Sequence, residues 1–451
     1  MQAYLLFRAR NSPLGRSTNS VHGDRDVRAS IYSIKRRGPS IMSVICVLYS
    51  SNTTYDSLRG ILAMAAAEFD RLGHEVQMLD LLSPQLPARL NALLPRRAET
   101  MALGFSGIGL EIHTPEKKLF WDLAQIPVFT WFCDHPCYFA RRHRLESRYV
   151  TAGYVFPDHA AFNRDYLRSS AVFATHIGIP DPGFFGGLPP RQRNGRLIFA
   201  KSSWKPQELE RGYRATMPPK LFALLFDAIA AAKGKTCGAF PEIILATAAE
   251  HLVYLTPGSD LFNAILTRLD NYTRAVRTRE VGAVLADYPV DFIGGGWDDL
   301  DVTGRRARVL GAVTFDTMRE QLGSYLAAVS LNPNVDLSMH DRVFFALGAG
   351  TVPVFDANRF SAEHMRHLAR FSFGQDTESV ATAVEAVLAD PAAAQAATAT
   401  TFGELYPRFS MRRAVQDIHE ITMTISGAAG EGLFPASPAP PNVWTPPKQA
   451  A

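Results

Sequence analysis

Ser330-Leu-Asn-Pro-Asn-Val-Asp-Leu-Ser-Met-His340-Asp-Arg-Val-Phe-Phe-Ala-Leu-Gly-Ala-Gly350-Thr-Val-Pro-Val-Phe-Asp356 reads as strand end, loop, helix, glycine stop and strand. Asp336 or Ser338 can cap the helix, which should run over about 337–348. Gly348 and Gly350 can end it, and Thr351 begins the next strand. A helix entered from the carboxyl end of a parallel strand has its N-terminus where such sheets bind ligands and where unpaired N–H groups attract phosphate. His340 and Arg342 fall in the first turn or so, adding donors and positive charge. Taken singly, an Arg or His early in a helix is more often solvated or capping than ligand-bound.

Outward from this segment, short apolar strands alternate with helical stretches, the signature of parallel sheets with crossover helices. The N-terminal series is strand 44–49, a helix over about 56–72 closed by Gly73, and strands 75–79, 101–105, 127–132, 153–156 and 171–177. It predicts one doubly wound domain over 42–180. A second series, with strands 197–200, 290–293, 327–331 and 352–355, predicts another domain over 181–426. That domain should contain a helical insertion over about 206–288 and a closing helix at 403–425. Residues 427–451, with six prolines, read as a disordered tail.

The composition is globular, with 47% hydrophobic and 20% charged residues, and no apolar run is long enough for a membrane span. Residues 1–42 hold eight basic side chains against Asp24 and Asp26, so the rest of a chain of net charge +4 is slightly acidic. That argues against a nucleic-acid binder, which needs a basic face on the folded body. Residues 1–41 are expected to be a disordered basic extension, with Met42 as the natural start and an Arg-rich organellar presequence as the rival reading. Four scattered cysteines suggest no disulfide framework, and a cytoplasmic setting fits.

The 330–356 segment resembles the C-terminal motif of CgeB-type, family 1-like glycosyltransferases. There an Asn-containing strand end is followed by His-x-Arg-x-Phe-Glu-Ala-x-Ala-x-Gly and a short hydrophobic strand. His340, Arg342, Phe344, Ala346 and Gly350 match, whereas Phe345 stands where that family has glutamate. In the related enzymes this acid is thought to hold the donor ribose, and Phe345 cannot accept a hydrogen bond. Another acid substitutes, the donor differs, or the site is degenerate. Further similar fragments are Asp291-Phe-Ile-Gly-Gly-Gly-Trp297, Gly311-Ala-Val-Thr-Phe315, the linker-like Thr175-His-Ile-Gly-Ile-Pro-Asp-Pro-Gly-Phe-Phe185 and the strand running into Asp134-His-Pro136.

The resemblance implies a GT-B fold, two Rossmann-like domains facing a cleft. It also implies transfer of a sugar from a nucleoside-diphosphate donor to a glycan, protein or small-molecule acceptor hydroxyl. No cofactor and no metal is expected, since basic side chains meet the leaving-group charge. The expected donor-binding residues are Arg342, His340, Lys201, Asn332, Gly294, Gly295, Gly350 and Thr351. The candidate acceptor bases are Asp134, His135 and His113. Cys133 and Cys137 beside His135 read as small buried groups rather than zinc ligands. The rival reading of the whole chain is a non-catalytic binding protein on a decayed GT-B fold, with Phe345 as a mark of the decay.

Overall fold

The computed structural model describes residues 43–51, 56–145, 147–167, 172–185 and 193–430. Two six-stranded sheets organise them, and every strand pair is parallel. The first contains β1 (Val44–Tyr49), β2 (Glu75–Asp80), β3 (Thr100–Phe105), β4 (Val128–Phe132), β5 (Val150–Tyr154) and β6 (Val172–Ala174), in the order β2-β1-β3-β4-β5-β6. The second contains β7 (Leu197–Ala200), β8 (Val290–Ile293), β9 (Arg308–Gly311), β10 (Ala327–Ser330), β11 (Val352–Asp356) and β12 (Ser372–Phe373), in the order β12-β11-β10-β7-β8-β9. Each order reverses once, between β1 and β3 and between β7 and β10. Both domains are therefore doubly wound α/β units with one topological switch point each, the Rossmann-like pair that defines the GT-B arrangement.

The central strands read as continuous apolar runs because helices cover both faces of a parallel sheet; β3, β4 and β10 are buried along their whole length. Two strands of the second sheet lie outside the expected set. β9 is an edge strand with alternate exposed residues, and β12 has only two residues, so neither leaves an apolar run to read. β5 also begins three residues earlier than the expected 153–156.

Between β7 and β8 lie helices Pro206–Thr216, Pro219–Ala231, Phe240–Glu250 and Asp260–Leu285. The first three carry proline in their first two positions, where its missing N–H costs nothing, and Ser259 caps the fourth through Phe262 N at 3.2 Å.

The expected single closing helix at 403–425 is two helices, Pro391–Phe409 and Met411–Gly430. Ser410 between them bridges Ile179, with Ile179 N on Phe409 O at 2.7 Å and Met411 N on Ile179 O at 2.8 Å. Gly178 has φ +83°, and a Cβ there would stand 2.5 Å from Met411 N. The last helix then returns to the first domain, where His419 Nε2 lies 3.0 Å from Ser43 Oγ and its ring 4.4 Å from that of His74. Helix continues to Gly430, past the expected start of the tail. The rest of that tail and the 1–41 extension lie outside the described residues.

The carboxyl ends of the two sheets face one another. The Asp158 carboxylate, following β5, accepts from Asp336 N at 3.2 Å and Leu337 N at 3.0 Å in the loop after β10. Tyr138, following β4, donates to Asp270 Oδ2 at 2.8 Å on the long 260–285 helix. Gly60, in the first-domain helix Ser57–Arg71, lies so close to the Phe315 ring of the second domain that a Cβ would come within 2.1 Å of it.

Candidate active site in the interdomain cleft

The switch point of the second sheet, between the carboxyl ends of β7 and β10, holds Lys201 and the loop that leads to Arg342. Lys201 directly follows β7. Its pKa is driven well below the ordinary lysine value, first by burial and then by the charges of Arg274 and Arg342, while Asp356 and Asp270 oppose the shift. Arg274 projects from the long helix and lies 3.4 Å from Asp270 Oδ2 on the preceding turn. Three cations therefore share this pocket. Among the described residues, Lys201 and Arg342 form no ion pair.

The helix carrying Arg342 starts at Asp341, later than expected, because residues 335–340 form a loop pinned by its own polar groups. Neither Asp336 nor Ser338 caps it; His340 is the N-cap. His340 Nδ1 contacts the Asp341 carboxylate, and its Nε2 lies 3.2 Å from Arg342 Nη1. Since guanidinium only donates, the consistent tautomer has Nε2 accepting from Arg342 and Nδ1–H donating to Asp341. Burial holds the imidazole down at about 4, with the Asp341 charge acting the other way. Asp341 is itself held at about 2, because His340 and Arg342 outweigh its burial. Its Oδ1 also accepts from Arg342 N at 2.8 Å. One helix N-terminal amide is thus already satisfied within the protein, which shifts the work of meeting an anion onto the side chains.

The structure does not bring all of the expected donor-binding residues to one place. Lys201, His340 and Arg342 stand together at the carboxyl edge. Gly350 and Thr351 are at the opposite edge: eight helical residues, or about 12 Å at 1.5 Å per residue, separate the helix start from its end. Thr351 Oγ1 donates to Leu322 O at 2.8 Å and accepts from Arg193 at 2.9 Å, a structural tie below the sheet. Asn332 is also internal. Its Oδ1 accepts from His340 N at 2.8 Å and its own N–H donates to Asp356 Oδ1 at 2.7 Å, so it holds the loop rather than facing the cleft. Gly294 has φ +137°, and a Cβ there would stand 2.8 Å from the Lys201 carbonyl. Gly295 O accepts from Ser203 N at 2.8 Å, and Trp297 Nε1 donates to Lys201 O at 2.7 Å. This glycine turn seats the Lys201 loop.

Across the cleft, Asp134 follows β4, half-buried. Burial raises its carboxyl pKa, Arg274 on the opposite domain lowers it, and Asp270 adds to the rise. His135 lies at the domain junction but is closed off from solvent. Only 3% exposed, its ring packs edge-on against Phe162 at 4.5 Å and His159 at 4.9 Å, and its Nδ1 caps the turn Pro136–Phe139. Burial lowers it to about 4. His113 sits exposed in the loop after β3, with Nδ1 2.8 Å from Glu111 O. Phe345 is packed between Phe315 at 5.9 Å and Phe185 at 6.5 Å. It lines a small cavity under Arg342 with Ile198, Ala200, Ala328 and Val329.

Three polar residues of the site were not singled out from the sequence. Asp270 and Arg274 are an ordinary i,i+4 pair on a long amphipathic helix, and only the tertiary crossing aims them into the cleft. Asp356 ends β11, and burial raises it to about 6 against the Asn332 amide and the charges of Arg277 and Lys201. Its position at a strand's carboxyl end was the available signal.

No protein-family model matches the sequence, and no curated protein matches it. Several solved structures superpose over most of the chain. An alpha-glucosyltransferase in complex with UDP and a 13-mer DNA aligns at 10% identity over 85% of this chain and 100% of its own, with a TM-score of 0.48. Sucrose-phosphate synthase from Thermosynechococcus elongatus aligns at 10% identity over 86% and 100%, with a TM-score of 0.45. The glycosyltransferase SnogD from Streptomyces nogalater aligns at 13% identity over 85% and 100%, with a TM-score of 0.35. No helix among the described residues is long and apolar enough to cross a membrane.

Proposed function

We propose that this chain is a glycosyltransferase that binds a nucleoside-diphosphate sugar at the switch point of its second domain and transfers the sugar to an acceptor hydroxyl entering from the first. The observation that carries this reading is the trio Lys201, Arg274 and Arg342. Lys201 and Arg342 are half-buried cations with no ion-pair partner among the described residues, Arg274 adds its charge from beside Asp270, and a site that gathers such cations gains when an anion enters. A diphosphate supplies that anion, and its charge grows as the anomeric bond breaks. Lys201 and Arg342 would meet the leaving phosphate with no divalent cation needed. His340 orients the Arg342 guanidinium by accepting from it, and Asp341 fixes the imidazole tautomer.

Asp134 is the group best placed to take the acceptor proton, since it follows β4 on the facing domain and shares the field of Arg274. Asp356, buried at the end of β11 within the influence of the Lys201 charge, is the carboxylate we propose for a donor hydroxyl where Phe345 offers none. The substitution at Phe345 favours a second reading, a binding protein that keeps the nucleotide site without turnover. Incubating the protein with a panel of UDP-, GDP-, ADP- and dTDP-sugars and measuring released nucleoside diphosphate separates the two. Slow donor hydrolysis that stops in Asp134→Asn supports the transferase; binding without release in every case supports the second reading.

A further inference from the structure

Beside the cationic pocket, a second cluster of chemically capable side chains joins the two domains. His135 follows β4, His159 lies in helix Pro157–Phe162 of the first domain, and Cys237 opens the turn Cys237–Ala239 in the helical insertion of the second. One ligand atom from each lies within 4.8 Å of the other two, and all three residues are buried. A tetrahedral zinc ion with bonds of about 2.0–2.3 Å separates its ligand atoms by about 3.3–3.6 Å, so the three would close by about 1.5 Å at most.

His159 is 1% exposed, and neither ring nitrogen makes a hydrogen bond of good geometry; the Asp134 backbone is near enough to influence one of them. A buried imidazole with an unused nitrogen aimed at another imidazole and a thiol needs an explanation, because such groups are costly when unsatisfied. A metal ion supplies one.

We infer that His135, His159 and Cys237 form a site for a soft divalent cation, with zinc the best match, that clamps the first domain to the helical insertion of the second. Two imidazoles and a thiolate are a donor set suited to zinc, leaving the fourth position to water. Burial holds both imidazoles in the neutral form that ligates. The Cys237 thiol is raised by burial and by Asp158 and Asp270, and it would release its proton on binding, as thiolate ligands do. His135 Nδ1 receives the Cys137 amide at 3.3 Å, a long contact that ligation through Nε2 would give up. Cys237 also donates its N–H to Asn334 O at 2.7 Å, in the loop that leads to His340. The clamp would therefore brace the wall of the catalytic pocket without entering it.

The test is cobalt titration of the full-length protein after chelator treatment, read by absorption, together with metal analysis of the protein as purified. Expected are one zinc per chain as purified and, on cobalt addition, a thiolate-to-cobalt charge-transfer band that saturates at one equivalent. Cys237→Ser should abolish the band, and His159→Phe should weaken cobalt binding at least about 100-fold, with circular dichroism confirming that both variants fold. If both variants misfold, the wild-type titration still decides. No charge-transfer band in the wild type, or a band that survives in Cys237→Ser, overturns the assignment.

Discussion

Replacing Arg342 by alanine removes one of the two unpaired cations at the switch point, and its effect can be bounded. A guanidinium about 4 Å from a phosphate charge contributes roughly 4 kcal/mol at an effective dielectric constant of about 20. Repulsion from Lys201 and Arg274 acts with and without the ligand, so its relief changes the stability of the site and cancels from the binding difference. The loss is at most roughly 4 kcal/mol, or up to about 1000-fold weaker nucleoside-diphosphate binding. Turnover should fall further, by about 100- to 1000-fold, because the leaving group gains charge in the transition state. Arg342→Lys should restore only part of either loss, since a point charge cannot reproduce the bidentate fork.

Titration calorimetry with the nucleoside diphosphate measures the first quantity, and donor-hydrolysis rates the second. Asp341→Ala is unsuitable as a neighbouring control because Asp341 holds His340 and the Arg342 amide. Arg359→Ala, on an exposed surface pair with Glu363, serves instead. A folded Arg342→Ala protein with unchanged affinity and rate would refute the role of this side chain.

Asp134→Asn should lower turnover at least about 100-fold while changing nucleoside-diphosphate affinity less than about threefold, which a kcat and Kd comparison would show. Stability should fall steeply as pH drops from about 6.5 toward 4. His340 and His419 are lowered to about 4, and His143 and His176 to about 3, each first by burial. The unfolded chain thus binds more protons across that window; a melting temperature that stays flat between pH 6.5 and 4.5 would contradict this. Gly178→Ala should cost more than about 2 kcal/mol in denaturant unfolding, because positive φ and the Met411 backbone both oppose a Cβ.

The alternation of apolar strands and helices carried the architecture, because buried parallel strands write themselves as uninterrupted hydrophobic runs. β9 and β12 escaped because an edge strand and a two-residue strand need no such run. Within the candidate site, Lys201 was read from its place after a strand and His340 and Arg342 from the first turn of a helix, and the structure brings the three near one another. Gly350 and Thr351 were assigned by their place in a motif, although a helix of eight residues carries its end away from its start. His135 looked open to the cleft because it follows Asp134, yet successive residues leaving a strand point in different directions, and it is closed off from solvent. Asp270 and Arg274 carried no local mark, since only the crossing of the 260–285 helix over the sheet edge turns a helical ion pair into a site component.

The most direct test of the central claim is calorimetric titration of UDP, GDP, ADP and dTDP into the wild-type protein and into the Lys201→Ala/Arg342→Ala double variant. The account predicts that at least one nucleoside diphosphate binds the wild type at one site per chain and that the folded double variant loses this binding by about 1000-fold or more. Failure of all four to bind the wild type at millimolar concentration, or equal binding by the double variant, would contradict it.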